Sequence, residues 1–485
     1  MRKINILYLL LALLFMYSCS KDKGNYDYKE INDIEISGFK PLTKDNGQYN
    51  LVIGSQLTIS PELKFKLANE NDLSFFWTMG KDTIGKQKDL DFKLENISFG
   101  KKNCRFTVFN NNTSIAYYHD FVVNVNNPFN LGYYILSEKS DNTSLISFYS
   151  AIDENPVFLK TSKIGQIDLE GKPLSVSNTY GYNSDYGTYV WSFKYNFKTG
   201  ANKTIETDNY AFLPNRIIND DSFIDKTLTI DFNPEYAFDS YNAFYISSGK
   251  LIALKEGYLY RPAKLGDVEL YPWLGTKTGY QNIMAFGFDK NAQKFIHLSS
   301  LQTDPATNTI GDDNTYDKIT EIEGSELTIG QTPLIGENID NSVFKAITKD
   351  ANKLYFYNFI FESSSLPKIE LETSIAITGL NENTKVKLGG KSWYILVGNS
   401  IYKSSTEIPA LTKLLEVDAS YGVIMDFDVV ASGEKIIVAT YDETSAEDLK
   451  GNVYFFKSAN GDLISEHKNV AGKVVSIANA DYKPY

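Results

Sequence analysis

Histidine, cysteine and helical periodicity are what this 485-residue chain has least of, and each scarcity removes a class of function. The three histidines, His119, His297 and His467, show no H-E-x-x-H or other close-pair zinc spacing, so a histidine-rich metal site is excluded. Of the two cysteines, Cys19 closes the N-terminal apolar run and Cys104 stands alone. No intramolecular disulfide is therefore available once Cys19 is otherwise engaged. A basic excess is missing too: 48 basic against 60 acidic side chains give a net charge of -12, which argues against nucleic acid and against charge-driven binding to anionic lipid. No stretch reaches eighteen uninterrupted apolar residues, so no membrane-spanning helix is expected.

What is present begins with a short basic start. Arg2 and Lys3 precede an apolar run from Ile6 to Met16, too short for a stable transmembrane helix and the right length for a signal-peptide core. Tyr17-Ser18-Cys19 follows and has the form of a lipobox, with Cys19 lipidated as the first residue of the mature protein. The polar stretch Ser20 to Asn25 suits a tether, so residues 1–18 read as a signal peptide and 19–30 as a lipidated linker. Removal of residues 1–18 takes away Arg2 and Lys3, leaving 46 basic against 60 acidic side chains and a net charge of -14. Acyl chains on Cys19 would hold the protein at a membrane surface.

Residues 31–126 carry short alternating strands in the manner of an immunoglobulin-like β-sandwich, expected near Ile34–Ile36, Gln56–Ile59, Leu73–Met79, Phe92–Leu94, Cys104–Phe109 and Tyr117–Val125. Trp77 stands where such sandwiches bury a tryptophan on a central strand, a packing role. Cys104, in the alternating run Cys104 to Val108, reads as a buried strand residue. Pro128, in Asn126-Asn127-Pro128-Phe129-Asn130, marks the domain junction, because proline cannot donate to a sheet ladder.

From 127 to 485 a unit of strand, tight turn and strand recurs. Its turns are Ser247–Lys250, Asp289–Asn291, Lys349–Asn352, Val397–Ser400, Ala431–Gly433 and Ala459–Gly461. Their irregular spacing brackets the roughly 40 to 50 residues of a four-stranded propeller blade, giving six to eight blades. Radial closure would also remove exposed strand edges from a long all-β chain, and two stacked sandwiches are the alternative. The fold class expected is thus all-β, a sandwich followed by a β-propeller-like domain.

Gly24-Asn25-Tyr26-Asp27-Tyr28 after the cysteine, the Trp77 sandwich, Asn130 to Ser137, and the hairpin Phe286 to Phe295 together resemble the PKD-like family of surface lipoproteins. The resemblance implies an accessory subunit of a SusC/SusD-type outer-membrane uptake system that imports oligosaccharides or oligopeptides. The chain departs from true PKD repeats in that Trp77 is followed by Thr78-Met79-Gly80-Lys81, so calcium binding at that turn is not implied.

Catalytic chemistry is thin. No G-x-S-x-G elbow occurs, Cys104 has no adjacent histidine, and no cofactor motif is found. The acidic clusters Asn219-Asp220-Asp221, Gly311 to Asn314 and Glu443 to Asp448 lie in polar stretches where solvated charge is the ordinary explanation, and a metal is not expected. Aromatic segments are the better candidates for binding. Tyr180, Tyr182 and Tyr186 fall in a glycine-rich polar run that reads as a recognition loop, and Trp273 and Tyr280 form a second set. Such rings give sugars or peptides a rigid apolar platform with a polar tip.

The sequence therefore leads to a non-enzymatic, lipid-anchored protein on the cell-surface side of the outer membrane. Its partners would be a SusC/SusD-type transporter and other surface lipoproteins, with an oligopeptide or glycan as ligand. A secreted propeller hydrolase resembling glycoside hydrolases, or a purely structural protein-interaction module, are the alternatives.

Overall fold

The computed structural model describes residues 32–41, 49–52, 54–67, 72–95, 97, 100–126, 132–150, 158–183, 190–200, 203–208, 214–219, 221, 234–239, 243–247, 249–255, 259–262, 268–278, 283–299, 318–339, 343–361, 367–430 and 433–479. Among them nearly all regular structure is strand, with short 3-10 turns such as Ser325–Thr328 and Ala419–Tyr421. Two compact units divide the chain, chiefly at Asn124/Val125.

The first unit is a sandwich. A five-stranded sheet orders Tyr49–Val52, Ile115–Asn126, Gly100–Asn110, Leu73–Met79 and Asp82–Gly85, and two strand pairs complete it: Ile34–Ser37 with Glu62–Phe65, and Gln56–Ile59 with Leu90–Lys93. One face of the large sheet meets solvent, so burial alternates along its strands, as in Phe106, Val108 and Asn110 between more open neighbours. Trp77 is fully buried on the central strand Leu73–Met79. Its ring lies 4.3 Å from Phe106 and edge-on to Phe121 at 5.8 Å, and its Nε1 donates to Gln87 O at 2.8 Å. The packing role read from the sequence holds. Cys104 is buried as expected, and desolvation pushes its thiol up to about 11.

Among the described residues the second unit is a propeller of seven blades, inside the expected six to eight. Each blade is a four-stranded antiparallel sheet, lettered a to d outward from the axis. Blades 2 to 7 run in chain order, with strands a at Pro173–Asn183, Pro234–Asp239, Leu270–Thr278, Thr332–Asn338, Lys385–Gly389 and Val423–Val429. Blade 1 is assembled from both ends of the unit: Gly132–Glu138, Ser144–Ser150 and Phe158–Thr161 supply b, c and d, and the C-terminal Lys473–Asn479 supplies a. Strand a of each blade lies against strand a of the next, including blade 7 against blade 1 and blade 1 against blade 2, so the ring is closed.

Closure explains why strict alternation disappears beyond residue 131. A blade is covered on both faces by its neighbours, so central strands become continuous apolar runs. Ile436, Ile437, Val438 and Ala439 are all fully buried. Successive residues feed opposite interfaces: Tyr133 and Ile135 pack with Ile437, Ala439 and Phe455 of blade 7, whereas Tyr134 and Leu136 pack with Val176, Phe197 and Ile205 of blade 2.

The tight turns read from the sequence are also accounted for. Those at Ser247–Lys250, Asp289–Asn291, Lys349–Asn352 and Val397–Ser400 are the b–c turns of blades 3, 4, 5 and 6. Those near Gly433 and Gly461 are instead the a–b and c–d turns of blade 7, which is why the spacing shortened at the end. Gly249, Gly398, Gly433 and Gly461 all adopt positive φ there.

Candidate functional site

Antiparallel order places the a–b and c–d turns of every blade on one face of the ring and the b–c turns, with the links between blades, on the other. Strand a runs between these faces along the central channel. The pairing of a with b shifts register in blades 1, 2, 3, 4, 5 and 7, and in blades 2, 3 and 5 the shift begins at Pro173, Pro234 and Pro333. An inner strand has one edge free toward the channel, so proline and bulges are tolerated there.

Charges on the inner strands of blades 5, 6 and 7 form a cluster that the sequence reading missed. Lys385 and Lys387 alternate on strand a of blade 6, and Asp426 and Asp428 alternate on strand a of blade 7. Lys385 Nζ lies 2.7 Å from Asp426 Oδ1, and Lys387 Nζ lies 3.9 Å from Asp428 Oδ1. Asp426 is buried, and its second oxygen accepts from the backbone N–H of Ile477 at 2.8 Å. Asp428 takes a backbone hydrogen bond from Asn479; desolvation, the largest effect on it, raises its pKa against the pull of Lys387. Both aspartates thus clasp the C-terminal strand into blade 1 while pairing with blade 6.

Glu337, on strand a of blade 5, completes the cluster opposite Lys387. It is exposed to water yet enclosed by protein, as a side chain facing a channel must be. Desolvation pushes its carboxyl up to about 7, with Lys387 opposing the rise. The two carboxylates of blade 7 are thus consumed by ion pairs and by the closure strand, and no group of histidines, cysteines and acids able to hold a metal occurs among the described residues. The only sequence signals for this cluster are the i, i+2 pairs K-x-K and D-x-D in strand-like runs, where charge spaced by two shares a side.

The predicted binding residues are dispersed. Tyr180 and Tyr182 lie on strand a of blade 2, with Phe193 and Trp191 opposite on strand b, so this part of the expected loop is strand. Trp273 lies within the register shift of strand a in blade 4, two blades away. Cys19, Tyr186 and Tyr280 lie outside the described residues. The acidic run Glu443 to Asp448 is a surface loop anchored by Asp442, whose carboxylate accepts from Thr444.

The histidines stand in three separate places. His119 stacks on Phe39 at 4.1 Å, and burial lowers the pKa of His297 beside Phe286. His467, 3.2 Å from Ser465 Oγ on strand d of blade 7, is ringed by Tyr149, Phe158 and Phe455.

Residues 19–173 match the PKD-like family. No curated protein matches the chain. Solved structures are similar to this chain at low identity. A quinonprotein alcohol dehydrogenase-like protein from Bacteroides thetaiotaomicron is 10% identical, covering 92% of this chain and 100% of its own, with a TM-score of 0.46. BamB from Moraxella catarrhalis is 12% identical, covering 71% and 88%, with a TM-score of 0.35. PorZ, a surface component of the type-IX secretion system of Porphyromonas gingivalis, is 9% identical, covering 69% and 39%, with a TM-score of 0.40.

Proposed function

We propose that this chain is a non-catalytic, lipid-anchored surface protein, an accessory subunit of a SusC/SusD-type outer-membrane uptake complex that helps capture or present oligopeptides or oligosaccharides. The observation that carries the binding reading over the hydrolytic one is the channel cluster. Asp426 and Asp428 are engaged by Lys385, Lys387 and the closure strand, an arrangement that holds the ring together and leaves recognition to the loop faces. Anchoring through Cys19 is supported by the lipobox form of Tyr17-Ser18-Cys19 and by a family match that begins at Cys19. The aromatic residues Tyr180, Tyr182, Tyr186, Trp273 and Tyr280 are the candidates for ligand contact.

The test is a mild-detergent pull-down of the tagged protein from its native outer membrane, followed by mass spectrometry. Recovery of a SusC/SusD-type pair in comparable amount is the expected result. Recovery of the protein alone would overturn the accessory-subunit reading.

A further inference from the structure

The first hairpin of blade 2 outruns the rest of its blade. In blades 1, 5 and 6 the first residue of strand b already has a partner on strand c: Gly132 is opposite Ser150, Phe344 opposite Phe359 and Ser392 opposite Ser405. Blades 3 and 7 are built the same way. In blade 2 strand b begins at Val190, but its pairing with strand c begins only at Lys194, opposite Asp208. Val190, Trp191, Ser192 and Phe193 are nevertheless paired with strand a, from Asn183 back to Tyr180. The a–b hairpin thus runs on past strand c by about 13 Å, on the face of the ring that carries the a–b turns.

The overhang has an open backbone edge. Among the described residues no strand lies on the outer side of Val190–Phe193. Consecutive strand residues point their N–H and C=O groups to alternate sides, so two of these four residues direct both groups toward that side. The sequence does nothing to blunt the edge. Val190-Trp191-Ser192-Phe193 holds neither charge nor proline, the usual protections, and three of its four residues favour strand.

The register also gathers aromatic residues. Tyr180 and Tyr182, spaced by two, share one face of the ribbon, and their partners Phe193 and Trp191 fall on that same face. A strand added beside Val190–Phe193 would bring its alternate residues next to Trp191 and Phe193. What matches such an edge is an extended polypeptide, whose backbone repeats donor and acceptor at the spacing of a ladder. A sugar chain has hydroxyls without that alternation. Four residues of edge are also little for a second folded copy to hold by, since a stable interface takes roughly 800 Å² from each partner.

We propose that the overhanging hairpin of blade 2 binds an extended oligopeptide by strand addition along Val190–Phe193, with Trp191 and Phe193 selecting its alternate side chains. The assignment rests on the capture reading above and chooses peptide as the ligand class.

The experiment uses the purified full-length protein and a tryptic digest of casein as the probe. Peptides retained by the protein are identified by mass spectrometry, and the best of them is resynthesised in two forms, N-methylated at odd or at even positions. One form should lose binding and the other keep it, because only alternate N–H groups of an added strand face the edge. Trp191→Ala/Phe193→Ala, with an unchanged melting temperature, should weaken binding of the parent peptide by roughly 30-fold. Hydrogen exchange over 190–193 should be fast in the free protein and slow with peptide bound. Equal binding of both methylated forms overturns strand addition, as does slow exchange over 190–193 without peptide, which would mean that the edge is already covered. Displacement of the peptide by a mixture of maltooligosaccharides, with no peptide retained in its presence, makes a glycan the ligand and overturns the assignment. A wild-type dimer on size exclusion that the double variant converts to monomer makes a second copy the occupant and does the same. Retention of no casein peptide by a protein that still recovers the transporter pair overturns the edge alone. Edge binding by a protein that recovers no pair leaves the edge standing and overturns only the accessory-subunit reading.

Discussion

Replacing Asp426 with alanine should loosen the ring at its seam. Asp426 is buried, with one oxygen 2.7 Å from Lys385 Nζ and the other 2.8 Å from the N–H of Ile477. Removing one partner of a buried pair costs about 3–5 kcal/mol. The ammonium left behind is about one-third exposed and can rehydrate, which puts the expected loss at the lower end, about 3 kcal/mol. Asparagine keeps an acceptor for Ile477 and loses only the charge, so it should cost about 1.5 kcal/mol. The loss should appear locally, because strand Lys473–Asn479 is joined to the rest of blade 1 only through its pairing with Gly132–Glu138. Hydrogen exchange read by mass spectrometry on peptides covering 473–479 should quicken by roughly 150-fold for alanine, the equivalent of about 3 kcal/mol in the opening equilibrium. Peptides from the core of blade 5 should keep their protection. Alanine and wild type exchanging alike at 473–479, with denaturation midpoints matching within about 0.5 kcal/mol, would refute the clasp.

Glu337→Gln should act with a definite pH signature. Its carboxyl is raised in the folded state from 4.5 to about 7, so the associated stability is full below pH 4.5 and is lost as pH rises through 7. Channel water screens this exposed group, so the glutamine variant should gain only about 1 kcal/mol at pH 8 and nothing at pH 5 in urea titrations. Equal gains at both pH values would contradict that origin. Cys104, with its thiol pushed up to about 11 by burial, should react with a thiol reagent at pH 8 at least roughly 100-fold more slowly in the native protein than in denaturant. Labelling at the free-thiol rate before unfolding would show that the sandwich core opens there.

The sandwich was more legible than the ring because its physics is local. One face of its main sheet is wet, so Phe121, Val123 and Val125 alternate in the sequence as they do in the structure, and Trp77 could be placed by its neighbours alone. Strands Tyr49–Val52, Glu62–Phe65 and Asp82–Gly85 were missed, although the equally short Ile34–Ser37 and Gln56–Ile59 were read. In the propeller the turns were legible, since positive φ demands glycine or asparagine at particular points. The assignment of turns to blades was not, because two turns of blade 7 resemble the single b–c turn of its neighbours. The prolines at the starts of inner strands were a usable signal, for only a strand with a free edge accepts them in series. The closure of blade 1 had no local signature, because Tyr134 and Ala478 are opposite one another only after the whole ring has formed.

That closure also separates the charged residues from the recognition problem. Lys385, Lys387, Asp426 and Asp428 are spaced by two like the residues of a binding strip, yet each aspartate is turned to a lysine and to the backbone of the last strand. A ligand entering the channel would compete with contacts that hold the first and last blades together, and binding there would be opposed by the cost of reopening the seam. The closed ring thus commits the charges on its axis to holding the seam between its last and first blades.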